Sequence, residues 1–428
     1  MGFFHLATGL PTGRFGHWRF ALIASGVLWS SFAIAAPADS LATAVRAAWA
    51  AHPAAHATEQ TLAAARARAD ASARPLYNPE IEFAVDDQGD ERTTTAGLAL
   101  TLDLSGKRGA RTAAGEAERA VVEAEAQARR SSFARTWLHA WADRLAAQRR
   151  LELGAQRVGL VQRFAELADR QLAVGDISTL ERDLALLARD ETRAEQATLL
   201  ADAASADEAL RAVGGHSPPP QEAMASEVPP PLSDGPDRLD TVPEQRVALA
   251  QSMRASRLVT VAERDRRPDP TLSLRGGQVD IGNVSDNVVG LSISVPLFVR
   301  NGYRAEAAAA QADSAAASAE QQRIVLESEA AAERARVTYV AVRDAWSQWS
   351  TSAGTDVDAR AVLLEKLWRA GELSTADYLI QLQQTVDTAL AGADLQGRVW
   401  RAFVDALYAT GRLDAWIGFD SLNSEVSR

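Results

Sequence analysis

Two hydroxyl–carboxyl pairs stand at a spacing that backbone chemistry can use: Ser178 with Glu181, and Ser374 with Asp377. At a helix start, a serine and an acid three residues on satisfy free backbone donors reciprocally, as a capping box. Each pair follows a glycine, Gly175 or Gly371, suited to ending a preceding helix in the left-handed conformation. The stretches Val174-Gly175-Asp176-Ile177-Ser178 and Ala370-Gly371-Glu372-Leu373-Ser374 therefore read as two reversals, each joining one long helix to the next.

Other residue types could do harder chemistry, and their context argues against it. His52 and His56, four apart, could hold a metal, but Pro53 disturbs the helix between them and no third ligand follows, so a solvated face is the better reading. Trp137 and Trp141 share a helix face and read as packing residues. No Ser/His/Asp arrangement or phosphate-binding loop stands out, so neither an enzyme nor a cofactor site is expected. Cysteine is absent, which excludes disulfides, thiolate metal sites and cysteine nucleophiles. The net charge of −11 leaves no basic surplus for a nucleic acid. Lysine occurs only at 107 and 366, a compositional bias toward arginine.

The elements that must position the two reversals are long. Residues 1–35 read as a signal peptide: Arg14, His17 and Arg19 precede an apolar run from Phe20 to Phe32, and Ala33-Ile34-Ala35 offers a cleavage site. That run is shorter than the roughly 20 residues a spanning helix needs. A first repeat is expected over 36–215. It opens with a helix from Asp39 to Arg74, kinked at Pro53, followed by a β-hairpin over 79–104 in which Ile81, Phe83 and Val85 alternate with polar residues. Asp87 to Thr95 reads as a polar loop, and Ala96 to Leu104 as the second strand. A helical hairpin over 111–213 follows, its outgoing seam on Leu153, Leu160, Phe164, Leu167 and Val174, its return seam on Leu180, Leu184 and Leu187. About 60 helical residues at 1.5 Å each span on the order of 90 Å, the length of a tunnel wall or long coiled coil.

Residues 216–243 hold eight of the 16 prolines and read as a connector. The second repeat, expected over 244–413, restates the first: a helix from Glu244 to Asp265, a β-hairpin over 270–297 with a loop from Val279 to Asn287, and a helical hairpin over 303–411. Its first helix should run from Tyr303 to Ala370, with Leu379, Leu382, Val386 and Ala389 along the last. Residues 414–428 form a tail. Pro79 with Pro270, Gly97 with Gly290 and Gly175 with Gly371 are offset by 191, 193 and 196 positions, a near-constant interval that signals duplication.

The strand from Gly290 to Leu297 alternates Leu291, Ile293, Val295 and Leu297 with small or polar residues, so one face suits lipid while Ser292 and Ser294 suit a lumen. Four strands cannot close a membrane barrel, since the smallest have about eight, and open edges are not tolerated in lipid. Several copies must share one barrel. Pro296, lacking an N–H, suits the point where strand pairing stops.

Taken in order, these motifs resemble the TolC-like outer membrane efflux family: a proline before the first strand of each repeat, Val295-Pro296-Leu297-Phe298 before a Gly302-led helix, and the paired Gly-x-x-Ser-x-x-acid turns. The resemblance covers about Asp39 to Gly411 and includes the family's heavy-metal branch. It implies a mainly α fold with a membrane β-barrel, in which four strands per chain build a 12-stranded barrel in a homotrimer and a helical tunnel projects into the periplasm. Implied partners are outer-membrane lipid, a periplasmic adaptor and an inner-membrane RND-type pump. The implied strand-to-helix junctions are Leu104 with Gly106, and Pro296 with Gly302. The implied tunnel entrance comprises Gly175, Asp176, Ser178 and Glu181 with Gly371, Glu372, Ser374 and Asp377. There a ring of carboxylates from several subunits would favour cations, although helix capping alone explains Glu181 and Asp377 equally well. Where related proteins often place a second acid one turn on, this chain has Ile380. The function implied is a passive exit duct for metal cations or small toxic compounds. A type I protein secretion duct and a non-conducting periplasmic coiled-coil scaffold are the alternatives.

Overall fold

A computed structural model describes residues 37–214, 228–232, 239–351 and 357–419. The segment read as a signal peptide and most of the stretch read as a connector lie outside them. Nine α-helices, one short 3-10 helix (Leu239–Thr241) and four strands are described. The chain begins with α1 (Pro37–Ala51) and α2 (Pro53–Ser72), divided at His52 because Pro53 takes the first position of a new helix. A β-hairpin follows, β1 (Glu80–Gln88) and β2 (Glu91–Thr101), then α3 (Lys107–Val174) and α4 (Thr179–Gly214).

The same order of elements then returns: α5 (Pro243–Asp265), β3 (Thr271–Ile281), β4 (Val284–Ser294), α6 (Arg304–Thr351), α7 (Val357–Arg369) and α8 (Thr375–Ala409). The single helix expected from Tyr303 to Ala370 is thus described as two, α6 and α7, with residues 352–356 outside the description. A short α9 (Leu413–Ile417) occupies the start of the expected C-terminal tail, where Leu413, Ile417 and Phe419 are buried.

The four strands form one antiparallel sheet in the order β1-β2-β3-β4, so the two hairpins meet at β2 and β3. Both hairpins differ from the expected form. The stretches read as loops are strand: β1 reaches Gln88 and β2 starts at Glu91, leaving Gly89 with Asp90 as the turn, and Gly282 with Asn283 turns β3 into β4. Gly89 and Gly282 both have positive φ, 75° and 59°, which tight hairpin turns demand. Aspartate, threonine and asparagine signalled solvent in these stretches, and solvent does not prevent strand pairing. The strand read as Gly290 to Leu297 stops at Ser294, and the one read to Leu104 stops at Thr101, because Pro296 and Asp103 sit where the chain turns toward α6 and α3.

Register gives the sheet two unlike faces. Ile81, Leu98, Leu274 and Leu291 align in one row, and Leu100, Leu272 and Ile293 in another. Leu291 and Ile293 are each 68% exposed and Phe83 is 80% exposed, an apolar face with nothing against it in the single chain. The other face carries small and polar groups, and Thr101 and Thr271 join their hydroxyls across it at 2.8 Å.

Two apolar clusters hold the helices. One gathers Leu41, Val45, Trp137, Leu138, Trp141, Tyr339, Phe403 and Ile417, and the edge-on contact of Trp141 with Trp400 at 4.9 Å makes these tryptophans packing groups. Tyr339 donates to the carbonyls of Pro230 (2.6 Å) and Pro229 (3.1 Å), seating the described part of the proline-rich connector on α6. The second cluster lies along α3, α7 and α8 toward the reversals, with Leu153, Leu160 and Phe164 from the expected seam of α3. Val174 and the seam expected on α4 are different: Val174, Leu180 and Leu187 are exposed. The buried positions of α4 are Ala185, Thr192, Leu199, Ala203 and Leu210, so small side chains let α4 lie close to α3 where large ones were expected.

Candidate functional site: the two helical reversals and the strand-to-helix junctions

At the first reversal Gly175 takes φ 83°, and its N–H donates to the carbonyl of Leu172 at 3.0 Å while the Asp176 N–H donates to Gln171 at 2.9 Å. These are the two bonds of a Schellman motif, which satisfy carbonyls left free at a helix end. The second reversal repeats them: Gly371 at φ 72° donates to Trp368 at 3.0 Å, and Glu372 to Leu367 at 3.0 Å.

The helix starts differ by one methylene. Ser178 donates its backbone N–H to Glu181 Oε2 at 2.7 Å and its hydroxyl to the same oxygen at 2.8 Å, while the Glu181 N–H donates to Ser178 Oγ at 3.3 Å. That is a complete capping box. At the other turn Ser374 Oγ accepts from the Asp377 N–H at 3.1 Å and donates to Asp377 Oδ2 at 2.7 Å. The Ser178 N–H, then its hydroxyl, hold the Glu181 carboxyl below the usual range, and the Thr375 hydroxyl of the other turn adds to the effect.

Behind the turns lies an aromatic plug. Phe164 stacks on Tyr378 with ring centres 4.0 Å apart, and Trp368 meets Phe164 edge-on at 4.8 Å. Trp368 Nε1 donates to Thr375 Oγ1 at 3.1 Å, with Thr375 1% exposed. Burial, with the Glu365 carboxylate adding to it, pushes the Tyr378 hydroxyl up to about 12, so it stays protonated at any physiological pH. The capping acids stand out in the sequence by their spacing. Trp368, Thr375 and Tyr378 do not, because their partners lie on other helices. Arg157 of α3, also buried, bonds Glu195 of α4 and comes within 3.7 Å of Asp387 of α8, tying three helices further along. Ile380, where a second acid was sought, is 52% exposed.

At the other end, Gly106 holds φ 71° directly before α3. Asp103, which the sequence reading passed over for Leu104, organises that junction: its carboxylate accepts from the N–H groups of Ser105 (3.2 Å), Lys107 (2.9 Å) and Arg108 (2.6 Å). Leu104 is 73% exposed. At the second junction Pro296 lies beyond β4, and Asn301 Oδ1 accepts from the Tyr303 N–H at 2.9 Å just after Gly302. Tyr303 has φ 51° and packs edge-on to Phe298, centres 5.0 Å apart.

His52 is a cap: its Nδ1 accepts from the Ala54 N–H at 3.0 Å and its ring lies 5.1 Å from Phe133, a partly buried role in place of the solvated face expected of it. His56 stands 3.8 Å from Glu59. Among the described residues no group of three or more His, Asp or Glu could hold a metal ion, and no helix is long and apolar enough to cross a membrane.

No protein-family profile matches the chain. It is 30% identical over 249 residues to the cobalt-zinc-cadmium resistance protein CzcC of Cupriavidus metallidurans, covering 57% of this chain and 60% of that one. It is 26% identical over 283 residues to the nickel-cobalt-cadmium resistance protein NccC of Alcaligenes xylosoxydans xylosoxydans, covering 64% of each. The matches therefore span less than two thirds of either relative. Among solved structures, the open state of the MtrE outer membrane channel of Neisseria gonorrhoeae superposes with a TM-score of 0.68 at 14% identity, over 87% of this chain and 89% of that one. By sequence the chain is a relative of these heavy-metal resistance proteins, and by structure it carries the fold of the TolC-like outer membrane channels.

Proposed function

We propose that this chain is the outer-membrane exit duct of a tripartite efflux system, passively conducting cargo received from a periplasmic adaptor and an inner-membrane RND-type pump. One observation carries the reading: the four-stranded sheet shows an apolar face across all four strands yet leaves β1 and β4 as open edges. Unpaired backbone groups in lipid cost several kcal/mol each. Pairing β1 of one copy with β4 of the next removes every edge, and three copies make 12 strands. β3 and β4 each run 11 residues, the length that a strand tilted by about 45° needs to cross a bilayer core.

The long helices then form the periplasmic tunnel, the reversals at Gly175 and Gly371 its entrance, and Glu181 and Asp377 a ring of carboxylates there. Residues 1–35 serve as the export signal. The kinship with two metal-resistance proteins favours divalent metal cations as cargo over small organic toxins or a secreted polypeptide. A non-conducting scaffold leaves the apolar sheet face without a purpose. Purified protein reconstituted in planar bilayers tests the reading: steady ohmic currents are expected, and a protein that leaves the bilayer insulating would overturn it.

A further inference from the structure

On the polar face of the sheet one row differs from its neighbours. Glu82 of β1, Gly97 of β2, Arg275 of β3 and Gly290 of β4 align in register. The rows on either side, Ile81 with Leu98, Leu274 and Leu291, and Phe83 with Ala96, Gly276 and Val289, put their side chains on the opposite, apolar face. The charged row therefore stands level with the apolar belt.

Arg275 does not stand straight off the sheet. A Cβ built on Gly97 would lie 2.5 Å from Arg275 Cγ, so the arginine stem crosses Gly97 along the row that leads to Glu82. Only glycine at 97 leaves that path open. Among the described residues no ion pair of the chain includes Arg275 or Glu82, and both side chains are exposed in front of the sheet. Register places Glu80, Asp86, Glu91 and Asp286 on the same face, which makes Arg275 the one basic side chain of the four strands there.

The geometry points to Arg275, held across Gly97, as the residue that sets the ion preference of the barrel lumen, moderating a cation preference that Glu82 sustains. The inference rests on the shared-barrel reading, in which each copy supplies one Arg275 and one Glu82 to a ring at the height of the belt. Lipid outside the barrel wall and water inside focus the field of such a ring on permeating ions. The species it discriminates are small hydrated ions, metal cations among them, by charge and not by coordination.

The test is the reversal potential of the full chain in planar bilayers under a potassium chloride gradient at low salt. Arg275→Gln should raise the cation-to-anion permeability ratio about twofold or more, and Glu82→Gln should lower it. Gly97→Ala, which forces the arginine off its path while keeping its charge, should also move the ratio. All three shifts should fade near 1 M salt, where the screening length is about 3 Å. Unchanged reversal potentials in variants that conduct normally would overturn the ring. A wild-type chain without currents would overturn the duct reading, and the ring with it.

Discussion

Lys107 Nζ and Asp269 Oδ2 stand 2.9 Å apart as an ion pair with only 8% and 3% of their side chains exposed, joining the start of α3 to the segment that leads into β3. Tyr77 donates to the same carboxylate oxygen at 2.8 Å, so segments leading into β1, α3 and β3 converge on one buried charge. Lys107 is one of two lysines in the chain, and it sits at the seam between the sheet and the long helices. The equivalent position to Asp269 in the first repeat is Asn78, just before Pro79. The lock therefore bridges the two halves of the chain, Lys107 and Tyr77 from the first and Asp269 from the second, and Asn78 cannot supply the matching charge.

Removing one partner leaves an uncompensated buried charge, which costs about 3–5 kcal/mol, whereas replacing both by apolar groups costs far less. Lys107→Met or Asp269→Leu alone should lower the thermal midpoint of the detergent-solubilised protein sharply, and the double variant should recover most of the loss. Equal losses in all three would show that the pair acts only by filling space.

Glu181 gives a pH dependence of known sign. Its carboxyl is held below the usual range in the folded turn, so the stability it contributes is present above the unfolded value and is lost as pH falls through the folded one. The hydrogen-exchange protection factors of the first turn of α4, taken relative to the intrinsic rate at each pH, should fall in acid in the wild type. Glu181→Gln keeps a capping side chain that does not titrate, and its exchange should follow only the chemical pH trend.

How far the sequence speaks depends on whether a residue's partner is near it in the chain. Ser178 with Glu181 and Ser374 with Asp377 are legible because both members of each cap lie within one turn. The lipid-compatible face is legible because Leu291 and Ile293 alternate with serines. The long strands around Gly89 and Gly282 are not, since polar composition reports solvent and not backbone pairing. Nor is the buried stripe of α4, because Ala185 and Ala203 pack by being small while Leu180 and Leu187 draw the eye. The contact of Lys107 with Asp269 spans 162 positions, and no local pattern announces it.

Thr375 accepts the Trp368 N–H inside the aromatic plug. Thr375→Val keeps the shape and strands that donor, which should cost about 1–3 kcal/mol, while Thr375→Ser should be close to wild type. Hydrogen-exchange protection of the α7–α8 turn reads the difference. Equal protection in the valine and serine variants would reduce Thr375 to a packing residue.

Asp377 lies at the proposed tunnel entrance and, among the described residues, caps its helix with Ser374. Asp377→Ala should raise single-channel conductance or weaken cation preference at low salt, and unchanged currents would reduce Asp377 to a helix cap.

The central claim is that one chain supplies four strands of a barrel that only several copies can close. Native mass spectrometry of the mature protein, extracted from outer membranes in mild detergent, tests it most directly. A complex of three copies that survives dilution is expected; a stable single copy would overturn the shared barrel.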